Sequence, residues 1–497
     1  MSKYQGILRI HNRGFGFVTT EKGQEIFIPA QNIADAIDGD TVQVKATVSE
    51  KGLDGEIVQV VKRQRRFLTG TVLCQIQNKY MVHLPILGAD QNIVINSPQQ
   101  LNTGDRLLLS LHQDKKTKAW QYRLAEKLGS IKDACLDTVC ACYDFQLNPQ
   151  FPQAAEAEAK KFKEPTAKNL PQHKDLTALS CLTIDPDDAK DFDDALSIAA
   201  SEEGYELGVH IADVSYYVQE GSAIDLEAYA RSNSTYFPGE CIPMLPPYLA
   251  DNLCSLKPQK NRLAISVFMH FDPTGNLRDY QIYRSLIKSK KRFTYAEAYQ
   301  TLAAKEKKPF QKELQLMQKL CALLKHKRME RGSIDFALSE GRVKVDAKGN
   351  PLKIEVVEYD ISHQMVEEFM LKANEVVATH LNKLDKNLIY RVHEKPSVPS
   401  FSDFYQLVGS LGFTLPDNPN HLDIQNVFNE AKNTPYAQQL SIAFIRTMRL
   451  ACYAEANLGH YGLSLSHYCH FTSPIRRYSD LVIHRLLFGE PLKKQTL

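Results

Sequence analysis

Six aspartates crowd into ten residues of one segment, TIDPDDAKDFDDALSI (183–198), at positions 185, 187, 188, 191, 193 and 194. Carboxylates at that density repel one another, so folding them together calls for cations or basic side chains nearby. A solvated acidic loop is the plain alternative. The flanks, ALSCLTI and ALSIAA, argue against it, because these apolar strand-like runs draw the segment toward a core. A calcium loop of the EF-hand kind needs Gly at its sixth position and Glu at its twelfth, and both are missing. Hard carboxylate oxygens suit Mg²⁺ or Mn²⁺, and a cluster able to hold two such ions is a device for hydrolysing phosphodiesters.

The chain around this cluster reads as several domains. With 497 residues the length prior is about three. The first segment runs through YQGILRI, GFGFVTT, EIFIPA, AIDGDTVQVKATV and GEIVQVVK, short alternating strands broken by turn residues. Strands this short with no helix between them predict a small closed barrel. A second cycle begins near Arg66, and IDGDTVQV (37–44) and NTGDRLLL (102–109) hold the same place in each cycle, so the pattern is a tandem pair of barrels. The predicted boundaries are 1–64 and 65–128 for the barrels and 129–175 for a connector containing a solvated helix, AAEAEAKKFKE (154–164). Residues 176–497 then form one large α+β domain. Its early part is strand-like in ALSCLTID and YELGVHIADVSYYV. Helical spacing follows in FQKELQLMQKLCALLKHKRMERG and SHQMVEEFMLKANEVVATHLNKL.

Composition excludes other classes. Sixty basic and 58 acidic side chains leave a net charge of +2, so nucleic acid cannot be held by bulk charge, only by local patches. KRQRR (62–66) and KSKKR (288–292) are two basic runs that could track phosphates. The ten cysteines are scattered without a CxxC pair, which points to buried reduced thiols in a cytoplasmic protein rather than a disulfide framework or zinc ribbon. Neither a signal peptide nor an apolar run of about 18 residues occurs, so no membrane partner is expected.

The string TIDPDDAKDFDDA resembles the active-site signature of the ribonuclease II / ribonuclease R (RNB) exoribonucleases. The similarity continues, in the family's order, through IADVSYYV, STYFPGECIPMLPPYLADNLCSLKP, RGSIDF, SHQMVEEFMLKANE, IYRVHEKP and YCHFTSPIRRYSDLVIHRLL, over roughly residues 176–488. The resemblance implies a multidomain protein, two cold-shock-type OB barrels followed by the α+β RNB domain. It implies hydrolysis of single-stranded RNA from 3′ to 5′ into nucleoside 5′-monophosphates in RNA turnover, by a monomer using two Mg²⁺ ions, with Mn²⁺ as a substitute. The family's four acids fall on Asp185, Asp191, Asp193 and Asp194, with Asp193 counted as catalytic, while Asp187 and Asp188 are extra. Arg476 matches the arginine that clamps the scissile phosphate, and a planar, permanently charged fork suits a phosphate gaining charge. Arg477 competes for the inward position. Tyr236 and Phe336 match aromatics that pinch the last bases. Glu368, with Glu367 as rival, matches an acid near the terminal ribose, where a carboxylate can accept from a 2′-hydroxyl. His210, His393, His470 and His484 are assigned structural roles.

GFGFV (14–18) and EIFIP (25–29) resemble cold-shock strands and make Phe15, Phe17 and Phe27 candidate stacking residues, with alternation expected to send some of them to the core. The chain stops thirteen residues after His484, without a counterpart of the S1-type OB domain that family members carry. An RNA-binding protein with a weak or inactive nuclease domain is the alternative reading, which loss of any one of the four acids would favour, and none is lost; a deoxyribonuclease on the same metal chemistry is the third.

Overall fold

The computed structural model describes residues 2–11, 13–49, 52–87, 92–114, 120–166, 170, 172–333 and 340–489. Strands β1 (Ser2–Ile10), β2 (Gly16–Thr20), β3 (Glu25–Ile28), β4 (Thr41–Ser49) and β5 (Gly52–Lys62) close into a barrel in the order β1-β2-β3-β5-β4. Alternation decides its inside: Leu8, Val18, Ile26, Ile28, Val42, Val44 and Ile57 form the core. Gly6 sits where β1 crosses closest to β2, since a Cβ there would lie 2.3 Å from the Thr19 carbonyl oxygen.

The second cycle forms β6 (Phe67–Ile76), β7 (Lys79–His83), β8 (Asn92–Asn96), β9 (Asp105–Gln113) and β10 (Trp120–Ser130), a five-stranded sheet ordered β10-β9-β6-β7-β8. Leu68, Val72, Tyr80, Val82, Leu107 and Leu109 fill it. Helix α1 (Cys135–Asp144) is latched to β6 by buried Asp144, which accepts from the Thr69 amide at 2.8 Å and its hydroxyl at 2.7 Å. Two arginines of the basic run 62–66 are tied inside this unit, while Lys62 and Arg66 are exposed. Arg63 pairs with Asp40 at 2.6 Å and Asp35 at 3.1 Å, and Arg65 donates to the Asp144 carbonyl.

The rest of the chain comprises α2 (Gln153–Ala159), β11 (Lys174–Leu176), β12 (Cys181–Asp185), β13 (Asp194–Ser201), β14 (Gly204–Ala212), α3 (Val214–Tyr217), α4 (Ala223–Arg231), β15 (Thr235–Phe237) and β16 (Glu240–Ile242). Then come β17 (Asn261–Phe271), β18 (Leu277–Lys288), β19 (Lys291–Thr294), α5 (Tyr295–Ala303), α6 (Gln311–Glu330), β20 (Glu340–Val345), β21 (Pro351–Val357), α7 (Ile361–Lys383) and β22 (Tyr390–Val392). The last are α8 (Val398–Ser410), α9 (His421–Ala431), α10 (Ala437–Thr447), β23 (Cys452–Ala454) and α11 (Tyr478–Leu487). Seven strands make one sheet, ordered β11-β18-β17-β14-β13-β12-β19. Its central strands β14 and β17 are buried almost throughout, as strands covered on both faces must be.

The chain divides into two compact units: one holds the residues up to Pro149 with Tyr236–Ile242 and Val343–Glu355, the other the remainder. The boundary between the units falls inside the 129–175 stretch, so that α1 belongs to the first and α2 to the second. Ala155 and Ala159 of α2 are fully buried in the core of the second unit, so this helix is one-sided rather than solvated. The strand expected to run through DVSYYV ends at Ala212, because the Asp213 carboxylate accepts from the Tyr216 amide and starts α3 instead. Helices α8–α10 enclose a small core of their own around Phe404, Ile424 and Phe444, which the strand and helix reading of the sequence did not separate. All ten cysteines are free; five are buried and four are exposed, so the expectation of buried thiols holds for only half of them. Among the described residues no helix is long and apolar enough to cross a membrane.

Candidate active site

Strands β12 and β13 are antiparallel neighbours, with Cys181 opposite Ser197 and Leu182 opposite Leu196. Asp185 is the last residue of β12 and Asp194 the first of β13, so both stand at the same end of the sheet, joined by the irregular segment 186–193. Asp193 lies just outside the strand, its carbonyl still accepting from the Ala212 amide at 2.9 Å. Its carboxylate accepts from the Ile475 amide at 3.0 Å and from Arg476 Nε at 3.3 Å. Asp191 is half-buried in the irregular segment, whereas Asp187 and Asp188 are exposed and Asp188 pairs with Arg342.

Burial pushes the Asp185 carboxyl up to about 6, against the pull of Thr183 and Arg292. It pushes Asp193 up to about 7, with Arg476 and the Ile475 amide opposing. Asp194 stands well above the ordinary carboxylate range through burial and the charges of Asp185 and Asp193. Asp185 Oδ2 is buried without a hydrogen-bond partner. An orphaned hard oxygen beside further carboxylates fits a divalent cation. Among the described residues no three His, Cys, Asp or Glu side chains already form one coordination shell.

These shifts set an expected pH dependence. A carboxyl raised from about 3.9 in the unfolded chain favours the fold in its protonated form. That contribution is complete below about pH 4 and is lost as pH rises through the folded values of about 6 and about 7. In chelator, the cluster should therefore lower thermal stability at pH 8 relative to pH 5. If these acids hold Mg²⁺, the ion should raise the melting temperature more at pH 8, where they are ionised. Equal Mg²⁺ shifts at both pH values in scanning fluorimetry would contradict this.

The two adjacent arginines separate. Arg476 reaches Asp193 and also donates Nη2 to Ser473 Oγ at 3.0 Å, with its side chain 45 % exposed. Arg477 turns to Asp480 at 2.7 Å, a fully buried carboxylate that also accepts from the Ser473 amide. Glu368 is buried on α7, and its Oε1 takes both Arg328 Nε at 2.8 Å and Nη2 at 2.7 Å, so this carboxylate already holds an ion pair; exposed Glu367 is bonded by the Tyr359 hydroxyl. Phe336 lies outside the described residues. Tyr236, on β15 of the other unit, is 54 % exposed.

The histidines are internal fittings: His210 lies between Ser197 and Ser266, and His484 bonds the Phe471 carbonyl. His393 accepts from the Gly462 amide, and His470 Nδ1 lies 2.8 Å from the Tyr453 hydroxyl.

Three neighbours of the acids were not singled out in the sequence. Tyr295 follows β19, whose Thr294 is in register with Asp185; burial and the charges of Asp194 and Asp185 push its hydroxyl up, so it stays a donor. Arg292, from the second basic run, donates to the Pro186 carbonyl at 2.5 Å and the Asp187 carbonyl at 3.1 Å. Ser255 holds the other end of the same segment. Only the register of β12 against β19 could have revealed the first two.

In the first barrel the three phenylalanines share one outer face. Phe15 and Phe17 have the same parity, and Phe27 is in register with Phe17, so alternation unites them instead of sending some inward. Ring centroids lie 5.6–5.8 Å apart, and His11, unremarked in the sequence, stacks on Phe15 at 4.5 Å. Phe17→Ala is expected to weaken single-stranded RNA binding by about 10-fold, since stacking contributes about 1–3 kcal/mol per base. Inward-facing Val18→Ala should instead lower the melting temperature; fluorescence anisotropy and thermal unfolding distinguish the two.

Compared with known proteins, the RNB domain matches residues 173–489 and the ribonuclease B OB domain residues 6–60. A ribonuclease R of Chlamydia trachomatis is 39 % identical over 97 % of this chain and 72 % of its own length. The fold superposes on Mycoplasma genitalium RNase R in complex with ribose-methylated single-stranded RNA with a TM-score of 0.87 and 29 % identity, covering 99 % of this chain and 80 % of that one. Yeast Ssd1, a pseudonuclease, shares the fold at 19 % identity with a TM-score of 0.73, covering 99 % and 70 % of the two chains. With the RNB domain spanning most of its length and a relative of that identity along nearly all of it, the protein belongs to the RNB family of exoribonucleases.

Proposed function

We propose that this chain is a divalent-metal-dependent exoribonuclease that degrades single-stranded RNA from its 3′ end to nucleoside 5′-monophosphates, acting as a cytoplasmic monomer. The observation that carries the reading is the meeting of Asp193 with Arg476 and the Ile475 amide, beside Asp185 and Asp194. Asp185, Asp191, Asp193 and Asp194 would hold two Mg²⁺ ions, or Mn²⁺. When bound, such a pair supplies water activation and charge neutralisation at neutral pH.

The chain's own groups do the rest. Arg476, half in solvent, can exchange Asp193 for a phosphate oxygen, while its Ser473 contact keeps the guanidinium near the acids. The Ile475 amide orients Asp193 throughout. Tyr236, and Phe336 by resemblance, would stack on the last bases, and the Phe15–Phe17–Phe27 face would bind upstream nucleotides. For the ribose, Glu368 would act together with Arg328, whose two contacts hold the carboxylate in place.

A 5′-labelled single-stranded RNA with Mg²⁺, with and without chelator, tests the reading. A ladder shortening from the 3′ end that chelator abolishes is expected. RNA binding with no mononucleotide release would leave the inactive-nuclease alternative, and cleavage unaffected by chelator would remove the metal assignment.

A further inference from the structure

We propose that Ser255 is the positioning residue that fixes the backbone on both sides of Asp191 and thereby sets how that acid is presented to a divalent cation. The need arises from the segment 186–193, which has neither strand ladder nor helix to hold it. Arg292 ties down its first residues through the Pro186 and Asp187 carbonyls. At its far end, the peptide groups on either side of Asp191 are both bonded to one hydroxyl.

Ser255 is fully buried. Its Oγ donates to the Lys190 carbonyl at 2.7 Å and accepts from the Phe192 amide at 3.0 Å. A serine hydroxyl has one donor and two acceptor sites, so both bonds can exist together. They land on the residues immediately before and after Asp191, bridging the two peptide groups that flank it. The next residue adds a third tie, Leu256 N–H to the Phe192 carbonyl at 3.0 Å. Ser255 is itself anchored, because its carbonyl accepts from Arg262 Nε at 2.9 Å. Arg262 is 1 % exposed and also reaches the Asn261 carbonyl and the Asn252 side chain. An arginine buried so fully and donating in three directions makes a rigid base for a hydroxyl that has no catalytic reach of its own.

Partners behind metal ligands act by orienting them, and their removal typically costs about 10–100-fold in metal affinity. The proposal rests on reading Asp191 as a metal ligand, and the experiment separates the two ideas. Mn²⁺ binding is measured on the full chain by the loss of the free-ion electron paramagnetic resonance signal, for the parent, Ser255→Ala and Asp191→Asn. Thermal unfolding and RNA anisotropy are recorded in chelator.

Ser255→Ala should weaken Mn²⁺ binding by about 10-fold or more while RNA affinity in chelator stays at the parent value, a split that a merely structural role does not produce. Parent-like Mn²⁺ affinity in Ser255→Ala, with Asp191→Asn impaired, overturns the role of Ser255. Parent-like affinity in Asp191→Asn overturns the reading of Asp191 itself. If the alanine variant fails to fold, Ser255→Cys, of nearly the same size but with a weak sulfur donor, carries the same expectation and the same refutation.

Discussion

Asp193→Asn is expected to reduce Mg²⁺-dependent hydrolysis by at least about 10²–10³-fold while RNA binding in chelator is nearly retained. Two effects combine. The amide removes the negative charge that cations at the acid cluster require. It also sets an N–H₂ donor against Arg476 Nε where a carboxylate oxygen now accepts, so that contact is lost while the Ser473 contact remains. The Ile475 amide can still donate to the Asn carbonyl oxygen, which preserves the local backbone and explains why folding should survive. Single-turnover cleavage and anisotropy on the same preparation check this. A variant keeping most of the parental rate would remove Asp193 from the chemistry, whatever the remaining acids do.

The neighbouring arginines should respond in opposite ways. Arg476→Ala is expected to lower kcat by about 10²–10³-fold with a smaller change in melting temperature than Arg477→Ala, since its side chain is nearly half exposed and, on the proposed function, its loss would be felt by a phosphate gaining charge. Arg477→Ala leaves the fully buried Asp480 without its cation at the start of α11, and breaking a buried pair costs about 3 kcal/mol or more. Its signature is therefore a lowered melting temperature, with per-molecule activity largely kept below that temperature. Arg477→Lys should recover part of the stability, while Arg476→Lys should remain poor in kcat because a point charge cannot replace the planar fork. Reversed signatures would exchange the assignments of the two residues.

Local pattern was enough for the acid cluster and for the elements carrying it. Six carboxylates between two apolar runs announce a buried charged site, because repulsion and burial are properties of the residues themselves. Period-two alternation likewise specified the first barrel's core, and helical spacing specified α6 and α7, since each depends on neighbours a few positions away. What the tertiary structure alone decided are pairings across long separations. Asp193 meets Arg476, 283 positions later, and Glu368 is taken by Arg328 from a neighbouring helix. Lys and Arg runs that looked free for phosphate became internal ties at Arg63, Arg65 and Arg292. No spacing rule contains these outcomes. They follow from strand register and helix packing, which place side chains far apart in the chain within hydrogen-bond reach. The same register seats Tyr295 beside the acids, and packing of the segment 249–257 puts Ser255 under Asp191. A serine or tyrosine has no charge pattern that would mark it beforehand, so its role exists only once the fold has chosen its neighbours.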